Sequence, residues 1–359
     1  MTAFRSLRLP PLLRRLLRPL LDPYRRYRNA RVIHAIRVSL GLLATILLTT
    51  GINLPHGEWA SVTMLVVIGG LQHHGNIGKK AAERAYGTLI GAAVGLLLVL
   101  QQAWLGLPWL TYFGMSVVCG FFSYHAIGKG GYTALLSAIT VFIVAGHGDN
   151  PVTDGLWRTV DILIGIVLAL AFSFALPLYA VYSWRYKLAG ALRDCASIYS
   201  RIISGQSVTD DHYLKLLGRL NGVMVQLRSL MPSVSKEVRI SMTELDALQR
   251  NLRLCISTLE ILANTRPDTR DEHAMAQMQL ALKAEHREIR RLLIGMARAL
   301  QSGTTQRLER SSSEPLLQNA LEAPVYSALD GYRLLTRQLA NNLNEMRQRL
   351  VKSAPHWKI

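Results

Sequence analysis

Arg158 and Asp161 stand one helical turn apart in a stretch that otherwise carries almost no charge. A cation and an acid on one helix face of an apolar segment are costly unless they pair or face water. The two could hold the carboxylate of an organic anion on Arg158 while Asp161 carries a proton. They could equally be an interfacial arginine snorkelling to headgroups with Asp161 as its partner. Arg84 opens another apolar stretch, but Lys79 and Lys80 beside it make it read first as part of a basic loop. Thr63 and Thr140 offer hydroxyls, and Trp59 and Tyr132 offer rings, in the same apolar region. Together they could line a path for an aromatic acid; the alternative is helix–helix hydrogen bonding and an interfacial aromatic belt. His34, Arg37 and the adjacent His73 and His74 read as hydrated groups at the ends of such segments.

Covalent chemistry has no support. There is no GxxxxGK[ST], GxSxG or HExxH pattern. The three cysteines, Cys119, Cys195 and Cys255, form no CxxC pair and suit a reducing compartment. Neither an enzyme nor a bound metal or cofactor is expected.

The elements that must position these residues are apolar helices. Between Val32 and Tyr179 the chain has six cations and five acids, and from Ser183 onward charge recurs every few residues. A bilayer core takes about 20 apolar residues per helix. Spans are predicted at about 32–52, 57–71, 85–103, 107–125, 130–146 and 158–179, separated by turn chemistry such as Pro55-His56-Gly57, Gly75-Asn76-Ile77-Gly78 and Gly128-Lys129-Gly130-Gly131. With the N-terminus inside, Lys79, Lys80, Arg84, Lys129, Arg185 and Lys187 fall inside, and among the cations only Arg158 falls outside. Both termini are therefore expected in the cytoplasm.

Residues 1–31 carry nine Arg and one Asp, and the whole chain has net charge +18. Beside an anionic inner leaflet this excess follows from topology and lipid contact, so no nucleic-acid partner is expected. The leader lacks a cleavage site. It reads as a basic amphipathic segment on the leaflet or as a disordered basic arm.

Spans 2–3 resemble spans 5–6. Thr63 falls on Thr140 at an offset of 77, and Arg84 on Arg158 at an offset of 74; Gly91 falls on Gly165 and Gly95 on Ala169. A three-span unit repeated once is inverted in the bilayer, a common transporter plan. Gly87, Gly91 and Gly95 form a double GxxxG, with Asp161, Gly165 and Ala169 at the matching places; such spacing lets helix backbones approach closely.

The second half has helical periodicity. Helices are predicted at about 183–204, 209–230, 236–264, 270–302 and 325–352, with Thr209 as an N-cap and Gly303 as a stop. Residues 303–324, with Ser311-Ser312-Ser313 and Pro315, read as a loop. Tyr332, Leu335, Leu339, Leu343, Met346 and Leu350 make one apolar stripe, which needs a partner inside a bundle or on a second subunit. The fold class is therefore all-α: a polytopic membrane protein of six transmembrane helices with an inverted 3+3 repeat at 32–180, followed by a cytoplasmic helical bundle at 181–359.

This layout resembles the fusaric-acid-resistance-like (FUSC) family. The likeness rests on the basic N-terminus, the RxxGTxxG opening of span 3 from Arg84, the RxxDxxxG opening of span 6 from Arg158, and the segments Ser235–Ser241 and Asn251–Cys255. Its half-length bacterial members are the nearer match, and plant malate channels a more distant one. The resemblance implies proton-driven efflux of aromatic carboxylates or related toxic organic anions, a bacterial inner-membrane location and, because one half is present, a homodimer. An anion channel and a membrane-anchored scaffold stay open as alternatives. The expected partners are membrane lipids and a small organic anion.

Overall fold

The computed structural model describes residues 23–70, 73–146, 151–204, 211–265, 282–304 and 327–357. Among these it is helical, without strands. The chain forms two compact units. One is Arg28–Leu178; the other joins residues 23–27 to residues 179–357.

The first unit contains α2 (Ala30–Gly51), α3 (Glu58–Ile68), α4 (His74–Leu105), α5 (Pro108–Ile127), α6 (Gly131–Ala145) and α7 (Val152–Ala175). Four of them, α2, α4, α5 and α7, are long and apolar enough to cross a membrane; α3 and α6 are apolar but have only 11 and 15 residues. At 1.5 Å per residue they are roughly 16 and 22 Å long, short of the ~30 Å hydrocarbon core. The two short helices are also the best covered. α4 packs chiefly on α6, and α7 on α3, while α2 and α5 flank them. Long aliphatic and aromatic side chains such as Leu47, Trp109 and Phe121 face outward.

Two boundaries depart from the expected ones. Helix α4 starts at His74, so Gly75-Asn76-Ile77-Gly78 is helical and not a turn. Two glycines cost about 1 kcal/mol each in a helix. Burial of Ile77 and Ala81 and the Lys79–Glu83 ion pair at 3.6 Å offset that cost. Helix α7 starts at Val152, where Pro151 precedes it and Asp154 sits in the first turn, both favourable at an N-terminus.

The second unit contains α1 (Pro23–Arg28), α8 (Ala180–Ile203), α9 (Asp211–Val238), α10 (Met242–Asn264), α11 (Lys283–Ser302), α12 (Ser327–Ser353) and a 3-10 turn at Ala354–Trp357. A single apolar core runs through it, with Leu192, Tyr199, Leu252, Leu293 and Trp357 fully enclosed. The α12 stripe is buried at Tyr332, Leu339, Leu343, Met346 and Leu350 against α10 and α11, so its partner lies in the same chain. Helix α9 does not stop near 230. It runs through Pro232 and ends before Arg239, whose φ is +54°. Buried Leu227, Leu230, Met231, Val234 and Val238 hold both sides of the proline. The following helix opens with a capping serine, Ser241, whose hydroxyl accepts from the Glu244 amide at 3.2 Å. Gly303, at φ +67°, ends α11 as expected. Tyr24 and Tyr27 of α1 lie against Tyr186, with ring centroids 5.3 and 5.0 Å away. The basic leader before Pro23, Thr209 and the serine-rich 305–324 stretch lie outside the described residues.

Candidate functional site

The small residues of α4 and α7 bring two helix pairs into backbone contact. A Cβ on Gly87 would meet the Thr133 carbonyl and Leu136 Cβ, each at 2.8 Å. One on Gly91 would meet the Ser137 carbonyl at 2.5 Å and Thr140 Cβ at 2.7 Å, and one on Gly95 would meet Val144 Cβ at 3.0 Å. On the other pair, a Cβ on Gly165 would run into the Ala60 carbonyl and meet Thr63 Cβ at 2.9 Å. Gly91 thus faces Ser137 and Thr140 as Gly165 faces Ala60 and Thr63, in the register of the sequence offset of 77. Thr63 and Thr140 are both fully buried; Thr140 donates to the Leu136 carbonyl of its own helix at 2.8 Å.

Charged residues cluster at the ends of the two short helices. Asp161 has no exposed surface, and neither carboxylate oxygen has a hydrogen-bond partner. The contact of Gly165 with Ala60 and Thr63 brings Asp161, one turn earlier on α7, to the start of α3, where Glu58 and His56 lie. The His56 ring in turn lies 3.7 Å from Glu58 and 3.5 Å from Asp154. Arg158 does not join Asp161. Its Nη1 donates to the Ile143 carbonyl at 2.6 Å, in the last turn of α6. The pair expected from their spacing is thus separated, because the last carbonyls of α6 are left without helical partners and draw the guanidinium.

Arg84 is 2% exposed, which removes it from the basic loop suggested by Lys79 and Lys80. Its Nη2 donates to the Thr63 hydroxyl at 3.4 Å, its Nε has no partner, and no carboxylate among the described residues lies within ion-pair distance. One turn further, Thr88 is buried with an unpartnered hydroxyl. Tyr132 at the start of α6 is half-buried, with Lys80 Nζ 5.6 Å from its ring centroid. Trp59 is half-buried against the apolar cluster of Met64, Ile162 and Ile166.

Arg37, read as hydrated, is 1% exposed. Its Nη2 lies 3.0 Å from His34 Nδ1, and His34 Nε2 lies 3.1 Å from the Gly69 carbonyl just past α3. A neutral His34 donating from Nε2 relays the arginine to that helix end. The sequence did hold a signal for this. Ile33, Arg37, Gly41, Thr45 and Thr49 recur every four residues, and all five are buried.

Residues 31–357 match the model of the fusaric acid resistance protein family. The chain is also similar to the inner membrane protein YeeA of Escherichia coli (strain K12), with 29% identity over 341 residues, covering 90% of this chain and 95% of the relative. A family match over almost the whole chain, four helices long enough to span a bilayer and a relative in the inner membrane agree: the chain is a membrane protein belonging to the fusaric acid resistance protein family.

Proposed function

We propose that the protein is a secondary transporter of the bacterial inner membrane that exports aromatic carboxylates or related organic anions, driven by the proton gradient. The observation that carries this reading is Asp161, a carboxyl group with no exposed surface and no hydrogen-bond partner inside an apolar helix pair. Leaving a carboxylate charged there costs several kcal/mol, and binding a proton relieves that cost. Membership of a family connected with transport supports the reading. So does the helix order, in which each short helix, α3 and α6, stands between two long ones, as in transporters whose site lies at the interface of two repeats. In this reading six segments cross the membrane, with the residues flanking α3 and α6 completing their passage. Both termini are cytoplasmic, the units form an inverted 3+3 repeat, and two copies assemble. Transport needs no cofactor, metal or covalent chemistry, and no nucleic acid takes part.

Uptake of labelled benzoate into proteoliposomes under an imposed pH gradient tests the proposal. Gradient-dependent flux is expected, and Asp161→Asn should cut it to roughly a tenth or less. The buried cations Arg84 and Arg37 favour an anion channel as the second reading. Flux that follows membrane potential and ignores the pH gradient selects the channel. Absence of any flux overturns both.

A further inference from the structure

The two short helices have four ends, and three of them meet complementary charge. Glu58 lies in the first turn of α3, and it and Asp161 are acids at a positive helix end. Arg37 reaches the carbonyl end of α3 through His34. Arg158 donates into the carbonyl end of α6. The fourth end, the start of α6, meets charge of the wrong sign. Gly87 packs against Thr133, so Arg84, one turn earlier on the same face of α4, stands at the first turn of α6, where Lys80 lies over the Tyr132 ring. The nearby acid Glu83 is engaged by Lys79 at 3.6 Å.

A buried guanidinium beside a helix N-terminus, with no carboxylate, is an uncompensated positive site. From this juxtaposition, and resting on the transporter reading above, we infer that the start of α6 with Arg84, Thr63 and Thr88 is the binding site for the carboxylate of the transported anion. The free Nε of Arg84 and the unpartnered Thr88 hydroxyl supply donors pointing at no protein acceptor. A guanidinium matches a carboxylate with two parallel hydrogen bonds. Arg158 and Arg37 are positioning residues for helix ends and take no part in this contact. The carboxylate site at the start of α6 and the acid Asp161 at the start of α3 are then distinct stations, one for the anion and one for the proton.

The test is equilibrium binding of labelled benzoate to the purified full chain in phosphatidylcholine nanodiscs, with thermal unfolding measured on every variant. Arg84→Gln should weaken binding roughly tenfold or more, and Arg84→Lys should restore part of it. Thr88→Val should weaken binding severalfold without lowering the unfolding temperature, since its hydroxyl has no partner to lose. Arg158→Gln should lower the unfolding temperature and leave binding within threefold. Saturable binding that survives Arg84→Gln and Thr88→Val, or that is lost in Arg158→Gln, overturns this site and leaves the transporter reading standing. Displacement of benzoate by added phosphatidylglycerol in the wild type but not in Arg84→Lys would assign the site to a lipid headgroup phosphate and overturn the carboxylate. Absence of saturable binding by the wild type overturns the site, while the transporter reading is decided separately by the flux measurement.

Discussion

Arg185 shows how a buried charge can serve structure alone. It is 4% exposed, and its guanidinium donates to the Leu300 carbonyl at 3.0 and 2.7 Å and to the Trp357 carbonyl at 3.2 Å, while stacking over the Trp357 ring at 5.6 Å. It ties the end of α11 and the chain's last turn to α8. Arg185→Ala leaves those carbonyls buried and unpaired and should cost about 2–4 kcal/mol, read as a lowered unfolding temperature. His286 makes a second prediction. Its Nδ1 lies in hydrogen-bond contact with the Tyr199 hydroxyl at 2.6 Å, its Nε2 is buried without a partner, and burial lowers its pKa from 6.5 to about 4. The folded state therefore binds fewer protons than the unfolded chain between those values. Stability should be full above pH 6.5 and fall by up to about 3 kcal/mol as pH drops toward 4. Unfolding temperature against pH should show that slope, and His286→Gln should flatten it. Neither residue stood out in the sequence, because a lone Arg or His on a helix shows nothing of what it will face.

At the scale of elements, the glycines of α4 are not equivalent. Gly91 has a carbonyl and a threonine within 2.7 Å of any added Cβ, whereas Gly78 has open space. Gly91→Val should separate α4 from α6 and cost upwards of about 3 kcal/mol, while Gly78→Ala should stabilise the helix by about 0.5–1 kcal/mol. Detergent-solubilised thermal melts of the two variants moving in opposite directions would bear this out; equal losses would not. The glycine ladder was legible because four-residue spacing fixes a helix face. Its partners, Thr133, Ser137 and Thr140 on α6, were set by the packing alone. The face of Arg84 was not legible from its neighbours. A helix turning 100° per residue puts it with Ala81, Thr88 and Gly91 on the buried side, while Lys79 and Glu83 pair on another. Linear proximity to Lys79 and Lys80 does not give a helical residue their environment, since neighbours in sequence point to different faces.

At the scale of the molecule, charge divides the chain into an apolar unit and a charged one. The proposed orientation, with both termini cytoplasmic, puts residues 128–130 on the cytoplasmic side and residues 53–57 outside. Single cysteines introduced at Lys129 and at Asn53 of a Cys119→Ala, Cys195→Ala, Cys255→Ala background should react with an impermeant maleimide in whole cells only at Asn53. Labelling at Lys129 from outside would reverse the orientation.

The sequence by itself determined the helical class, the apolar segments, the division at the start of α8 and the glycine faces. All of these depend on periodicity and composition within a few turns of chain. Only the tertiary structure decided that Arg158 serves a helix end and not Asp161, that Arg37 is buried, and that Arg84 meets no opposing charge among the described residues. Those facts depend on which helix end each side chain meets, and that is set by the packing of α4 on α6 and of α7 on α3, elements distant in the chain.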